Sequence, residues 1–181
     1  MGMKIKTRPH SRSVVVEMEA REGWPPIALP SFRLKKILLP VDFSLTSRKA
    51  VAYAASFARQ FSAEVLLLHV IEPIPMAPQP DMLPIMVFGR EIRAERARRL
   101  SQWRSEFRPR ASVTAILREG VAHHEIVAMA REDDVDLIVI GTQGRTGWSH
   151  LFGSTAEWVV RHAPCPVLVV REREHDFVQP A

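Results

Sequence analysis

"VDLIVIGTQGRTGWSHLFGSTAEWVVRHAPCPVLVV", residues 135–170, joins two short apolar runs through a glycine-rich loop and a segment of helical period. The runs at 135–140 and 165–170 are nearly continuous in apolar residues rather than alternating, the pattern of strands covered on both faces of a sheet. Residues 154–163 suit a helix between them. Parallel strands need a crossover of a dozen or more residues, usually helical. The stretch therefore predicts a strand–loop–helix–strand unit of a parallel sheet, with a right-handed crossover.

Upstream the same alternation repeats. "KKILLPV" (35–41) is an apolar strand ending at Pro40 and Val41. In "SLTSRKAVAYAASFARQF" (44–61), Ala50, Ala54, Phe57 and Phe61 recur at helical spacing, with Ser44 or Thr46 available as N-cap. "AEVLLLHVI" (63–71) is a second buried strand, and "EPIPMAPQPDMLP" (72–84) a proline-rich connector that cannot be helix or central strand. A long helix is expected over 87–107, its apolar side marked by Ile92, Leu100, Trp103 and Phe107. "ASVTAIL" (111–117) reads as a third strand and "HHEIVAMARED" (123–133) as a third helix, with Gly120 in the turn between them. Strands alternating with helices mean an α/β fold: a parallel sheet with helices on both faces.

Residues 1–33 contain Pro9, Pro25, Pro26 and Pro30 and no sustained period, so they read as a partly disordered extension without a sheet-forming pattern. Residues 172–181 read as a solvated tail.

The 181 residues are 46% hydrophobic and 25% charged, ordinary for a soluble domain. The net charge of +5 is concentrated in "REIRAERARRLSQWR" (90–104). Glu91 and Glu95 are interleaved there, Glu95 standing four residues before Arg99, so a solvated helix face is expected rather than a nucleic-acid surface. No apolar run approaches the roughly 18–20 residues needed to span a bilayer, and no signal-type apolar segment opens the chain. A single cysteine, Cys165, excludes an internal disulfide framework and reads as a small hydrophobe. A cytoplasmic location is expected. Adjacent His123 and His124 project about 100° apart on a helix and cannot share a metal as an i, i+4 pair would; they read as exposed helix-start residues. His69 reads as packed and hydrogen-bonded rather than catalytic.

In a parallel α/β sheet, ligands bind beyond the carboxyl ends of the strands, where the strand order reverses. The first strand delivers Pro40, Val41 and Asp42 there; the fourth delivers Ile140 and Gly141, followed by Gly144. Glycines at 141 and 144 let backbone N–H groups approach an anion without a Cβ in the way. A helix beginning at Gly153, Ser154 and Thr155 adds hydroxyls and a positive dipole end, and Arg145 adds a cation, a combination suited to phosphate oxygens. Asp42 can accept a ribose hydroxyl or hold a divalent ion bridging to phosphates. The same spacing also fits a tight turn with a serine N-cap. Neither GxxxxGK[ST] nor GxGxxG occurs.

"KKILLPVDFSLTSRKAVAYAASFARQFSAEVLLLHVIEP" together with residues 135–170 strongly resembles the universal stress protein family, over about 34–171. The resemblance implies a five-stranded parallel sheet of order 3-2-1-4-5 (Rossmann-like, of the adenine nucleotide alpha-hydrolase type) in a cytoplasmic stress-response protein, usually a homodimer. It implies an adenine-nucleotide ligand (ATP, ADP or AMP), with Mg2+ held through the phosphates. Members that bind ATP carry GxxG and, after nine intervening residues, G[ST]. Gly141 with Gly144, and Gly153 with Ser154, match these, although eight residues separate Gly144 from Gly153. By the resemblance, Pro40, Val41 and Val70 line the adenine pocket, and Asp42 meets the ribose and metal-linked phosphates. At most slow ATP hydrolysis is expected. A dimer would form through the fifth strand, from Pro166 to Arg171, an open edge for a second copy. A dimeric interaction module without nucleotide is the alternative.

Overall fold

The computed structural model describes residues 3–7, 14–18, 31, 33–72, 85–107, 112–142, 153–172 and 178. It divides into two compact units, Met1–Phe32 and Arg33–Ala181. In the first, β1 (Met3–Thr7) pairs antiparallel with β2 (Val14–Met18), Ile5 opposite Val16. This pairing corrects the expectation that the segment lacks a sheet-forming pattern. Ile5 and the run Val14, Val15, Val16 are β-branched and favour extended backbone, and five residues a side suffice for a ladder.

The second unit runs β3 (Lys36–Pro40), α1 (Leu45–Phe61), β4 (Glu64–Ile71), α2 (Ile85–Glu106), β5 (Val113–Glu119), α3 (Ala122–Glu132), β6 (Leu137–Gly141), α4 (Ser154–His162) and β7 (Val167–Val170). Its sheet is parallel throughout, in the order β5-β4-β3-β6-β7. Counted from β3, that is the expected 3-2-1-4-5. The order reverses at β3, so the carboxyl ends of β3 and β6 stand side by side.

The two-residue period of each strand separates two cores. Ile37, Leu39, Val65 and Leu67 face Ala50 and Ala54 of α1 and Leu100 and Trp103 of α2. Leu38, Leu66 and Leu68 face Ile126 and Met129 of α3 and Ala156 and Val159 of α4. Asp136, the polar residue in the fourth apolar run, accepts from the backbone N–H groups of Lys35 and Lys36 at 2.7 and 2.9 Å, which aligns the starts of β3 and β6.

Ser44 is the N-cap of α1: its hydroxyl accepts from the Ser47 N–H at 3.2 Å, while Thr46 bonds the Ser44 hydroxyl at 2.9 Å. The Glu95–Arg99 pair expected on α2 is not formed. Arg98 pairs with Glu95 at 2.7 Å on the exposed face, and the half-buried Arg99 instead lays its guanidinium over the Phe43 ring, 4.7 Å from its centroid. A planar cation gains more over an aromatic face at the sheet than in a solvated ion pair.

Candidate functional site

The cavity of about 340 Å³ at the carboxyl ends of the strands draws its walls from six segments. Pro40, Val41 and Asp42 come from the end of β3 and just beyond it, Leu68, His69, Val70 and Glu72 from the end of β4 and the residue after it, and Ile140, Gly141 and Thr142 from the end of β6 and the residue after it. Ser47 comes from the first turn of α1, Gly153 to Ala156 from the start of α4, and Ala122 and Ile126 from α3. Every described residue of the expected site is therefore brought to one cavity. Gly144 and Arg145 lie outside the described residues.

Asp42 is fixed by its own turn. Its Oδ1 accepts from the Ser47 hydroxyl at 2.6 Å and from the Ser44 N–H at 3.0 Å, and its N–H donates to Ser47 Oγ at 3.2 Å. This local ring of bonds orients the carboxylate at the cavity edge while starting α1. The next residue, Phe43, takes a left-handed backbone conformation (φ 65°), uncommon for a bulky side chain. Packing holds it there: the Phe43 ring lies 4.4 Å from His69 and edge-on to Trp103 at 5.3 Å.

Gly141 and Gly153 are set by close approach. A Cβ on Gly141 would stand 3.1 Å from the Thr46 carbonyl carbon and 3.2 Å from the Ser47 nitrogen, because the first turn of α1 crosses the end of β6. A Cβ on Gly153 would stand 2.7 Å from the Thr142 carbonyl oxygen. That oxygen accepts from the Gly153 N–H at 2.7 Å, which ties the start of α4 to the end of β6. Gly153 is the N-cap of α4 and supplies no side-chain acceptor, and the first turn of α4 lines the cavity.

His69 is buried, its Nδ1 2.7 Å from the Val41 carbonyl oxygen. Burial lowers its pKa below the usual histidine value, the Val41 bond opposes that shift, and the Arg96 and Arg99 cations add to it. Ser47, Glu72 and Thr142 were not singled out from the sequence; nothing in their local spacing marks them, since the fold alone carries them to the cavity.

The Usp family model, described as the universal stress protein family, matches residues 33–171. The chain belongs to the universal stress protein family. A universal stress protein of Methanocaldococcus jannaschii is 35% identical over 142 residues, covering 76% of this chain and 82% of that one. One of Thermus aquaticus is 36% identical over 141 residues, covering 76% and 98%. Among solved structures, universal stress protein UspA from Lactobacillus plantarum superposes with a TM-score of 0.69 at 28% identity, covering 78% of this chain and 100% of that one. A universal stress protein from Archaeoglobus fulgidus, solved in complex with dAMP, gives a TM-score of 0.55 at 25% identity, covering 77% and 99%.

Elsewhere on this universal stress protein domain, His123 and His124 stand in the first turn of α3, His124 exposed as expected and His123 half-buried. Their rings lie 4.6 and 4.7 Å from Trp158, and His162 stacks on Trp158 at 4.0 Å. Cys165 is half-buried, and burial pushes its thiol pKa up, as fits a packed rather than reactive sulfur. Among the described residues, no group of three or more His, Cys, Asp or Glu is arranged to hold a metal, and no helix is long and apolar enough to cross a membrane.

Proposed function

We propose that this chain is an adenine-nucleotide-binding stress-response module that acts as a dimer in the cytoplasm. The observation that carries the reading is one cavity in which Asp42 faces Gly141 and the amino end of α4 across the point where strand order reverses. Adenine packs against Pro40, Val41 and Val70, the ribose meets Asp42, and the phosphates lie at Gly153, Ser154 and Thr155, where helix N–H groups favour negative charge. One carboxylate at the cavity edge fits a magnesium ion, which is commonly held by one or two carboxylates together with substrate phosphates. Asp42 would be that ligand. Gly144 and Arg145 complete the phosphate loop. The chain is a binding module, with at most slow ATP hydrolysis.

The test is to denature protein purified without added nucleotide and analyse the supernatant for ATP, ADP and AMP, followed by calorimetric titration with ATP and magnesium. Released nucleotide, or binding heat at up to millimolar ATP, supports the reading. The second reading, a nucleotide-free interaction module, rests on the eight-residue spacing between Gly144 and Gly153. Inserting one leucine after Phe152 separates the two. Heat with ATP only in the insertion variant would establish that the parent chain has lost the ligand.

A further inference from the structure

Three helices begin at the cavity, and their amino ends are not equivalent. At α1, Ser44 caps the helix and Asp42 closes the turn before it. At α3, the N-cap position is Val121, which has no side-chain acceptor. That end is satisfied from elsewhere in the chain: Glu72 Oε1 accepts from the Ala122 N–H at 3.0 Å. At α4, the N-cap is Gly153, which has no side chain of its own to cap with.

The Glu72 contact follows from the sheet. β4 and β5 run in register to Ile71 and Glu119, and the Gly120 N–H donates to the Ile71 carbonyl at 3.1 Å. The chain then turns at Gly120, in a backbone conformation (φ +148°) that other residues rarely adopt, and brings Ala122 over Glu72. A carboxylate at a helix amino end occupies the position an anionic ligand would take, and neutralises the dipole there.

We propose that Glu72 sets the charge preference and orientation of the ligand in this cavity, by occupying the amino end of α3 and directing phosphate groups to the amino end of α4. The inference rests on the nucleotide-binding reading above and adds to it a specificity residue. The ligand class it implies carries its negative charge at one end, with a neutral portion toward the Glu72 side. Added negative charge is tolerated only at the α4 side.

Glu72→Gln tests it, because the amide oxygen still accepts from Ala122 while the charge is gone. ATP, ADP, AMP and adenosine are titrated by calorimetry at low salt. Expected is a gain in ATP affinity of roughly three- to tenfold, declining through ADP and AMP, with adenosine changed less than about twofold. Salt of about 0.5 M shrinks the gain by screening. A common factor for all four ligands, or no change in any, overturns the inference and leaves the binding reading standing. Absence of binding by the parent chain, adenosine included, overturns both. Glu72→Ser, which removes charge and cap together, gives the same ligand ranking with a lower thermal midpoint; a ranking equal to that of the parent counts against the proposal.

Discussion

The Nδ1 atom of His69 lies 2.7 Å from the carbonyl oxygen of Val41, and this contact ties the carboxyl end of β4 to that of β3. A carbonyl only accepts, so Nδ1 carries the hydrogen and the neutral ring's acceptor is Nε2. The same ring supports Phe43 in its left-handed conformation. The wall of the cavity thus depends on a histidine kept neutral by burial.

This dependence makes stability pH-sensitive. Because the folded-state pKa of His69 is lowered from 6.5, the unfolded chain takes up the proton more readily. Stability is fully present above about pH 6.5 and falls as the pH drops below it toward the folded value. His123, lowered by burial and by His124 and His162, acts in the same direction. Urea midpoints measured from about pH 7.5 down to pH 5 should fall, and His69→Gln should make that fall shallower while costing about 1 kcal/mol at the upper pH. A midpoint that rises on acidification would contradict the assignment.

Gly153→Ala tests the tie between α4 and β6. The added Cβ meets the Thr142 carbonyl oxygen at 2.7 Å, and a backbone atom held by its own hydrogen bond cannot rotate away. Destabilisation of about 1–3 kcal/mol is expected from overpacking. ATP affinity should drop at least about tenfold, since roughly 1.4 kcal/mol lost at the α4 end is enough for that. Denaturation and calorimetry on the same samples check both.

Asp42 has two separable roles. Its Oδ1 anchors the turn through Ser47 and Ser44, a role asparagine keeps, whereas holding a cation needs the charge. Asp42→Asn should leave the thermal midpoint near that of the parent and abolish the magnesium-dependent part of ATP affinity. Asp42→Ala should also lose about 1–2 kcal/mol of stability, as a half-buried acceptor is removed from two paired donors. Equal ATP affinity with and without magnesium in the parent would remove the metal role.

β7 is an edge strand. The carbonyls of Pro166 and Val170 accept from Ile138 and Thr142 on β6, so the alternate residues Val167 and Val169 turn their backbone groups toward the open edge. Proline at an edge position with its nitrogen outward is tolerated by the strand but removes the donor a second copy would use. Light scattering at micromolar concentration should give a dimer for the parent and a folded monomer for Val169→Pro. A monomeric parent, or a variant that stays dimeric, refutes pairing through this strand.

Periodicity and local hydrogen bonding are properties of neighbouring residues, and they carried the sequence reading a long way. The apolar runs gave the five strands of the sheet, and the spacing of Ala50 and Ala54 gave α1 its buried face. Ser44 or Thr46 at the start of its helix marked a cap, and Pro40, Val41, Asp42 and Gly141 marked the strand ends that line the cavity. The placing of β3 beside β6 came from the family resemblance rather than from spacing, because pairing of distant strands has no local signature. Tertiary structure alone decided the rest. Arg99 chose Phe43 over Glu95 because the helix turned that face to the sheet. β1 paired with β2 where four prolines in the segment had argued against regular structure. Gly153 is required by the Thr142 carbonyl against it, and Glu72 caps a helix fifty residues further along the chain. Each of these contacts joins groups that strand register and crossover geometry bring together, and neither quantity can be read from residues taken a few at a time.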